Sequence, residues 1–184
     1  MFTDHRSKEI VVVSHCILNQ NAVSDNTADL PGTFQEVVDL LLEYEVGILQ
    51  MPCPELLCLG LDRGDIRGSE RDVVVENTRI RNALTQQTSI KKIETLVDQV
   101  VFQIEEYRKN GFSLLGIIGV NRSPSCGVDT TSMDNEEVVG KGVFMEALIE
   151  ELSEKGIDIE LIGVKTSEIE KSVNKLKELL GGAW

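Results

Sequence analysis

Three of the four cysteines in this chain stand where an apolar run stops. Residues 114–127 read Leu-Leu-Gly-Ile-Ile-Gly-Val-Asn-Arg-Ser-Pro-Ser-Cys-Gly. The first half suits a strand buried on both faces of a parallel sheet. The second half is turn-forming, and Cys126 stands in it. Cys16 and Cys53 follow two other apolar runs in the same way. Three thiols brought together would suit a soft metal, either zinc or an iron–sulfur cluster. No Cys-x-x-Cys pair is present, which argues against a zinc ribbon. Three-cysteine ligation of a 4Fe–4S cube leaves one iron without a protein ligand, a Lewis acid that favours sulfur donors. The competing reading is that each thiol is an inert core residue, since cysteine is among the most buried residue types.

Little else in the sequence carries a recognisable chemistry. There is no dinucleotide fingerprint and no P-loop. Of the two histidines, His5 lies in a polar start and His15 adjoins Cys16. A Cys–His hydrolytic pair would need His15 with Cys53 or Cys126. His15 either tunes a neighbouring ligand or satisfies a backbone carbonyl. Cys58 is read as a buried core thiol or an auxiliary sulfur carrier.

The elements that must place these residues follow from periodicity. Residues 9–14 carry a β-branched run and predict a first strand. Residues 19–32 read as a loop, and Thr33-Phe34-Gln35-Glu36 reads as a capping box opening a helix. Residues 46–51 predict a second strand, and 56–85 an irregular loop over a site. Residues 89–110 carry the longest helical period. The third strand follows, then an irregular stretch over 127–141. A helix over 142–155, a strand over 157–164 and a last helix capped by Ser167-x-x-Glu170 complete the chain. The order βαβαβαβα predicts an α/β fold: a three-layer, Rossmann- or flavodoxin-like domain over 1–184 with a mainly parallel sheet of four strands or slightly more. Ligands of such sheets bind beyond the carboxyl ends of the strands, where all three thiols fall.

The chain has 184 residues, 41% of them apolar and 27% charged, enough for a core without staples. A net charge of −13 makes a duplex nucleic acid an unfavourable partner. The polar N-terminal segment has no signal-like apolar region and no run reaches membrane-spanning length, so a cytoplasmic location with reduced thiols and no membrane partner is expected. Pairing into a homodimer is left open.

The segments Val13-Ser14-His15-Cys16-Ile17-Leu18, Met51-Pro52-Cys53-Pro54-Glu55 and Asn121-Arg122-Ser123-Pro124-Ser125-Cys126-Gly127 together resemble the DUF523, or TudS-like, family of thiouracil desulfidase-related proteins. The resemblance covers three motifs in order. It implies a 4Fe–4S cluster held by Cys16, Cys53 and Cys126, whose open iron takes the sulfur of a small thiolated molecule, which leaves as sulfide. By position, Glu55 would be the acid or base and Ser123 a hydrogen-bonding catalytic residue; the alternatives are a solvated carboxylate and a turn initiator. His15, Arg63, Arg122 and Ser125 would border the substrate, the arginines binding an anionic group. The chain departs from the pattern at His15, where a small residue is usual, and after Glu55, where Leu-Leu-Cys-Leu-Gly-Leu-Asp-Arg replaces a Gly-Gly-Leu-Pro-like segment. Both departures weigh more on the substrate than on the cluster. Rival readings are a carrier that holds sulfide without turnover and a zinc-bearing or metal-free domain with structural thiols.

Overall fold

The computed structural model describes residues 2–181. Strand β1 (Glu9–Val13) is built from Ile10, Val11, Val12 and Val13, all buried. Alternate side chains leave a strand on opposite faces, and here Ile10 and Val12 enter one core while Val11 and Val13 enter the other. β1 pairs in parallel with β2 (Gly47–Gln50) and β3 (Ser113–Val120), and β3 pairs in parallel with β6 (Leu161–Val164). The order β2-β1-β3-β6 makes a four-stranded parallel sheet with a helical layer on each side, the α/β class that the chain's periodicity predicts.

One face is covered by α5 (Gln87–Lys109) and α6 (Val143–Glu154), packed through Ile93, Val97, Val100, Phe144 and Leu148. The other is covered by α2 (Gln35–Glu43) and α7 (Ile169–Gly181), packed through Val37, Leu41, Leu176 and Leu180. No helix among the described residues is long and apolar enough to cross a membrane.

Several local expectations give way. Ser14 does not extend β1, and His15 and Cys16 open a one-turn helix, α1 (His15–Leu18). The stretch 56–85 is not a loop throughout. Pro54 starts α3 (Pro54–Leu59), and α4 (Val73–Leu84) follows a 3-10 turn over Gly68–Glu70. The period of α4 is hidden because Glu76, Asn77 and Thr78 are buried polar residues on its inner side. Residues 127–141 contain a hairpin, β4 (Thr130–Met133) and β5 (Glu136–Val139), closed by Asp134 and Asn135 at φ 55° and 65°. Two positive φ values suit a two-residue hairpin turn, and Asp and Asn tolerate them. Neither capping box forms. The cap of α2 is Phe34, with no side-chain cap bond, and Ser167 lies in the 3-10 turn Thr166–Glu168 that precedes α7.

The loop carrying Cys126 is wedged under α6. Val143 N–H donates to Pro124 O at 3.0 Å, and Phe144 N–H to Ser125 O at 3.0 Å. Gly142 permits this approach: a Cβ there would fall on the Ser125 carbonyl and within 2.6 Å of the Cys126 nitrogen. Gly142→Ala is therefore expected to destabilise the protein by roughly 2–3 kcal/mol, the upper end of overpacking costs. Urea unfolding checks this; an unchanged midpoint would show that the loop can move away freely.

Candidate functional site

The sheet register sets the distances along the chain. Val13 pairs with both Gln50 and Ile118. Cys16 therefore lies three residues past Val13, and Cys53 three past Gln50. β3 runs on to Val120 before turning back, so that Val120 N–H donates to Cys126 O at 3.1 Å. Cys16, Cys53 and Cys126 end on the wall of one cavity of about 90 Å³, at the carboxyl ends of β1, β2 and β3. His15, Glu55, Arg63, Arg122, Ser123 and Ser125 line the same cavity. All nine residues expected at a site are thus brought together there. Cys58 is not among the lining residues; its sulfur lies half-buried 3.9 Å from Ser89 O, against α5.

The thiols sit in an environment hostile to their anions. Burial pushes the Cys16 thiol well above its ordinary value, with Cys126, Cys53 and Glu55 adding to the shift. Burial, then Glu55, pushes Cys53 up to about 11. Burial, then Cys53, pushes Cys126 up to about 12. Besides burial, each of these thiols is pushed up by a neighbouring negative group of the same cavity. Local donors oppose them weakly, Leu56 N–H reaching Cys53 Sγ at 3.5 Å.

Behind the thiols runs a hydrogen-bonded row. Ser125 Oγ lies 3.6 Å from Cys126 Sγ and donates to Glu55 Oε1 at 2.6 Å. A hydroxyl has one hydrogen, so the short bond to Glu55 takes it. Glu55 Oε2 accepts from Arg63 Nε at 3.1 Å. Arg63 is 2% exposed and also donates to Gly60 O at 2.8 Å, Leu61 O at 3.1 Å and Ala22 O. Expected to bind an anionic substrate group, Arg63 instead commits its donors to protein. It ties the segment after Cys16 to the segment after Cys53 and fixes Glu55 between them. Ser123 Oγ accepts from Ser125 N–H at 3.3 Å and Cys126 N–H at 3.0 Å, which shapes the turn. Ser125, read as a substrate-side residue, is the hydroxyl that touches Glu55.

His15 is held between Gln50, 2.5 Å from Nδ1, and Asn19, 3.5 Å from Nε2. Burial lowers its pKa, favouring the neutral ring. Arg122 sits at φ 71°, its N–H bonded to Thr130 O at 3.0 Å and its carbonyl accepting from Ser132 Oγ at 2.8 Å. Its guanidinium has no hydrogen bond or ion pair among the described residues, and the residue is one of those lining the cavity. Sequence reasoning did not find Ser14, buried between Cys16 and β1 with an unpaired hydroxyl.

Among the described residues no group of three or more His, Cys, Asp or Glu side chains is placed to hold a metal ion. The donor chemistry nonetheless suits a larger thiolate-bound centre. Three soft donors share one cavity wall, and the buried Ser14 hydroxyl, two residues before Cys16, has no hydrogen-bond partner among the described residues.

No protein-family model matches the sequence. The uncharacterized protein MJ0003 of Methanocaldococcus jannaschii is 31% identical over 175 residues, spanning 95% of this chain and 96% of that protein. The chain belongs to the family of that protein. Among solved structures, one described as a 4Fe–4S-dependent thiouracil desulfidase, TudS, matches over 92% of this chain and 99% of its own, at 14% identity and a TM-score of 0.47. At that distance the likeness carries no argument about this chain.

Two outcomes follow from the geometry. Arg63→Met leaves Glu55 without its cation in a dry wall, and should cost on the order of 3–5 kcal/mol in urea unfolding. Adding Glu55→Gln should recover part of that loss; equal instability of the double variant would contradict a charge-pair origin. The raised thiols also give a pH dependence. Below their ordinary value of 9.0 they are protonated in both states and their contribution is intact. As pH rises toward 11 and 12 the unfolded chain ionises first, and metal-free protein loses stability. Cys126→Ser should flatten that loss between about pH 9 and 11, measured on metal-free protein under reducing conditions. An identical slope would contradict the burial of Cys126.

Proposed function

We propose that the protein is a 4Fe–4S-dependent enzyme that removes sulfur from a small thiolated molecule, with a thiocarbonyl compound as the substrate class. One observation carries the reading: Cys16, Cys53 and Cys126, from three strand exits, line a single cavity together with the buried Glu55. The three motifs that resemble the DUF523 family support it.

Cys16, Cys53 and Cys126 would hold the cluster, each giving up its proton to do so. A polynuclear centre is wider than one ion, so its ligands need not converge on a point as zinc ligands do. When bound, the cluster supplies a Lewis-acidic iron with no protein ligand, suited to a substrate sulfur.

The protein's own part is orientation and proton movement. Arg63 and Ser125 hold the two oxygens of Glu55 at 3.1 and 2.6 Å, which fixes the carboxylate's rotation beside the sulfurs. There Glu55 can take a proton from water attacking the thiocarbonyl carbon and return one to the departing group. Ser125 lies between Glu55 and Cys126 Sγ, so a proton can pass along the row toward the sulfur side. Arg122, with its guanidinium unspent at the cavity edge, would receive a polar or anionic substituent of the substrate.

Anaerobic reconstitution should yield about four iron and four acid-labile sulfide per wild-type chain, as the proposed cluster requires, and far less for Cys126→Ser. Glu55→Gln should retain iron and sulfide yet slow sulfide release from a thiolated pyrimidine by about 10²–10⁴-fold, the range for loss of a general acid–base. Wild-type protein that binds no iron would overturn the proposal. Release of one sulfide per chain without turnover would make the protein a carrier.

A further inference from the structure

We infer that Asn77 is a specificity-determining residue of the cavity, its side-chain carbonyl oxygen accepting a hydrogen bond from an N–H of the substrate. The inference rests on the desulfidase reading and narrows its substrate class to thiocarbonyl compounds that carry such an N–H.

Asn77 lies on α4, is 6% exposed, and is among the residues lining the cavity that holds Cys16, Cys53 and Cys126. Its neighbours decide which end of its amide is free. Ser132, with no exposed area, donates from Oγ to Arg122 O at 2.8 Å. A hydroxyl has one hydrogen, so toward Asn77 that oxygen can only accept. The atom of Asn77 that meets it at 3.2 Å is therefore the amide nitrogen, which also reaches Arg122 O at 3.5 Å. The nitrogen is thus spent on protein. The carbonyl oxygen accepts nothing among the described residues. Among those residues Ser14 Oγ is the only fully buried side-chain oxygen or nitrogen without a partner, so the Asn77 oxygen is the open end of a side chain otherwise enclosed.

A purely structural role accounts for the nitrogen and leaves the oxygen unexplained. An acceptor held from behind and open toward a cavity suits the recognition of a donor. The anchoring is shared with Arg122. The N–H of Arg122 donates to Thr130 O at 3.0 Å, and its carbonyl meets both Ser132 and Asn77. The backbone root of Arg122 and the amide of Asn77 are therefore fixed to each other. Arg122 brings hydrogen-bond donors to the cavity and Asn77 brings an acceptor. A hydrocarbon satisfies neither, and a bare anion satisfies only Arg122. A thioamide, thiourea or thiolated lactam has an N–H beside its thiocarbonyl and so can satisfy Asn77. An analogue with that nitrogen alkylated leaves the Asn77 oxygen dehydrated and unpaired, which is how a polar site rejects a close mimic.

The test compares sulfide release by the anaerobically reconstituted protein from 2-thiouracil and from its two mono-N-methyl derivatives. In wild type at least one methyl derivative should be poorer in kcat/KM by about tenfold, the worth of one neutral hydrogen bond. Asn77→Leu keeps the bulk of the side chain, removes its oxygen, and should bring that ratio close to one. Asn77→Asp keeps an oxygen acceptor, removes the amide nitrogen, and should retain the preference. Equal kcat/KM for all three compounds in wild type would overturn the inference without recourse to any variant. An iron-loaded Asn77→Leu that slows all three compounds alike would overturn it too, by reducing Asn77 to a support for Arg122, as would loss of the preference in Asn77→Asp. Wild-type protein that binds no iron, or that is loaded and releases no sulfide from 2-thiouracil, defeats the desulfidase reading itself, a result distinct from the others.

Discussion

The crowding of three thiols and a carboxylate against one dry wall governs the rest of this structure. Each group that ionises there loses water and meets the negative charge of the others, so Cys53 and Cys126 are pushed to about 11 and about 12 and Cys16 is also driven well upward. Natural proteins tolerate such an arrangement where a cation resolves it. One cation is built in, the Arg63 guanidinium, which bonds Glu55 and three backbone carbonyls and opposes the upward shift of Cys53 without cancelling it. The fold thus pairs its carboxylate with a cation and keeps its three sulfurs as neutral thiols in the metal-free protein.

The scaffold explains why the four groups meet. In a parallel sheet every strand delivers its carboxyl end to the same edge, and the order β2-β1-β3 puts the first three exits side by side. Gly142 lets α6 press down on the Cys126 turn, while Arg63 spans from α3 to the segment behind Cys16. Site geometry and stability are therefore coupled: the side chains that fix Glu55 also fix the loops that carry the cysteines.

The parts of this arrangement that were legible in the sequence are those set by period and topology. The run from Ile10 to Val13 could be little else than a buried strand, and the alternation with helices dictated a parallel sheet with its thiols on one edge. The parts that were not legible depend on tertiary partners. Arg63 looks like a free loop cation until Ala22, 41 residues away in sequence, is found accepting from it. α4 turns Glu76 inward because Arg71 and Arg79 meet it at 2.9 and 2.6 Å, which inverts the pattern a helix shows to a reader of periodicity. The hairpin over Thr130–Val139 carried an Asp134-Asn135 turn that positive φ explains in hindsight. Phe34 displaced Thr33 from the cap of α2 because its own side chain is needed in the core.

The central claim is that Cys16, Cys53 and Cys126 grip one inorganic centre. Anomalous scattering at the iron absorption edge, from crystals grown and mounted without oxygen after reconstitution, tests it most directly. The account predicts one compact group of iron peaks inside the cavity, bonded to those three sulfurs and to no other cysteine. Iron bound at Cys58 or on the surface, or a cavity free of iron in protein that analyses show to be loaded, would contradict it.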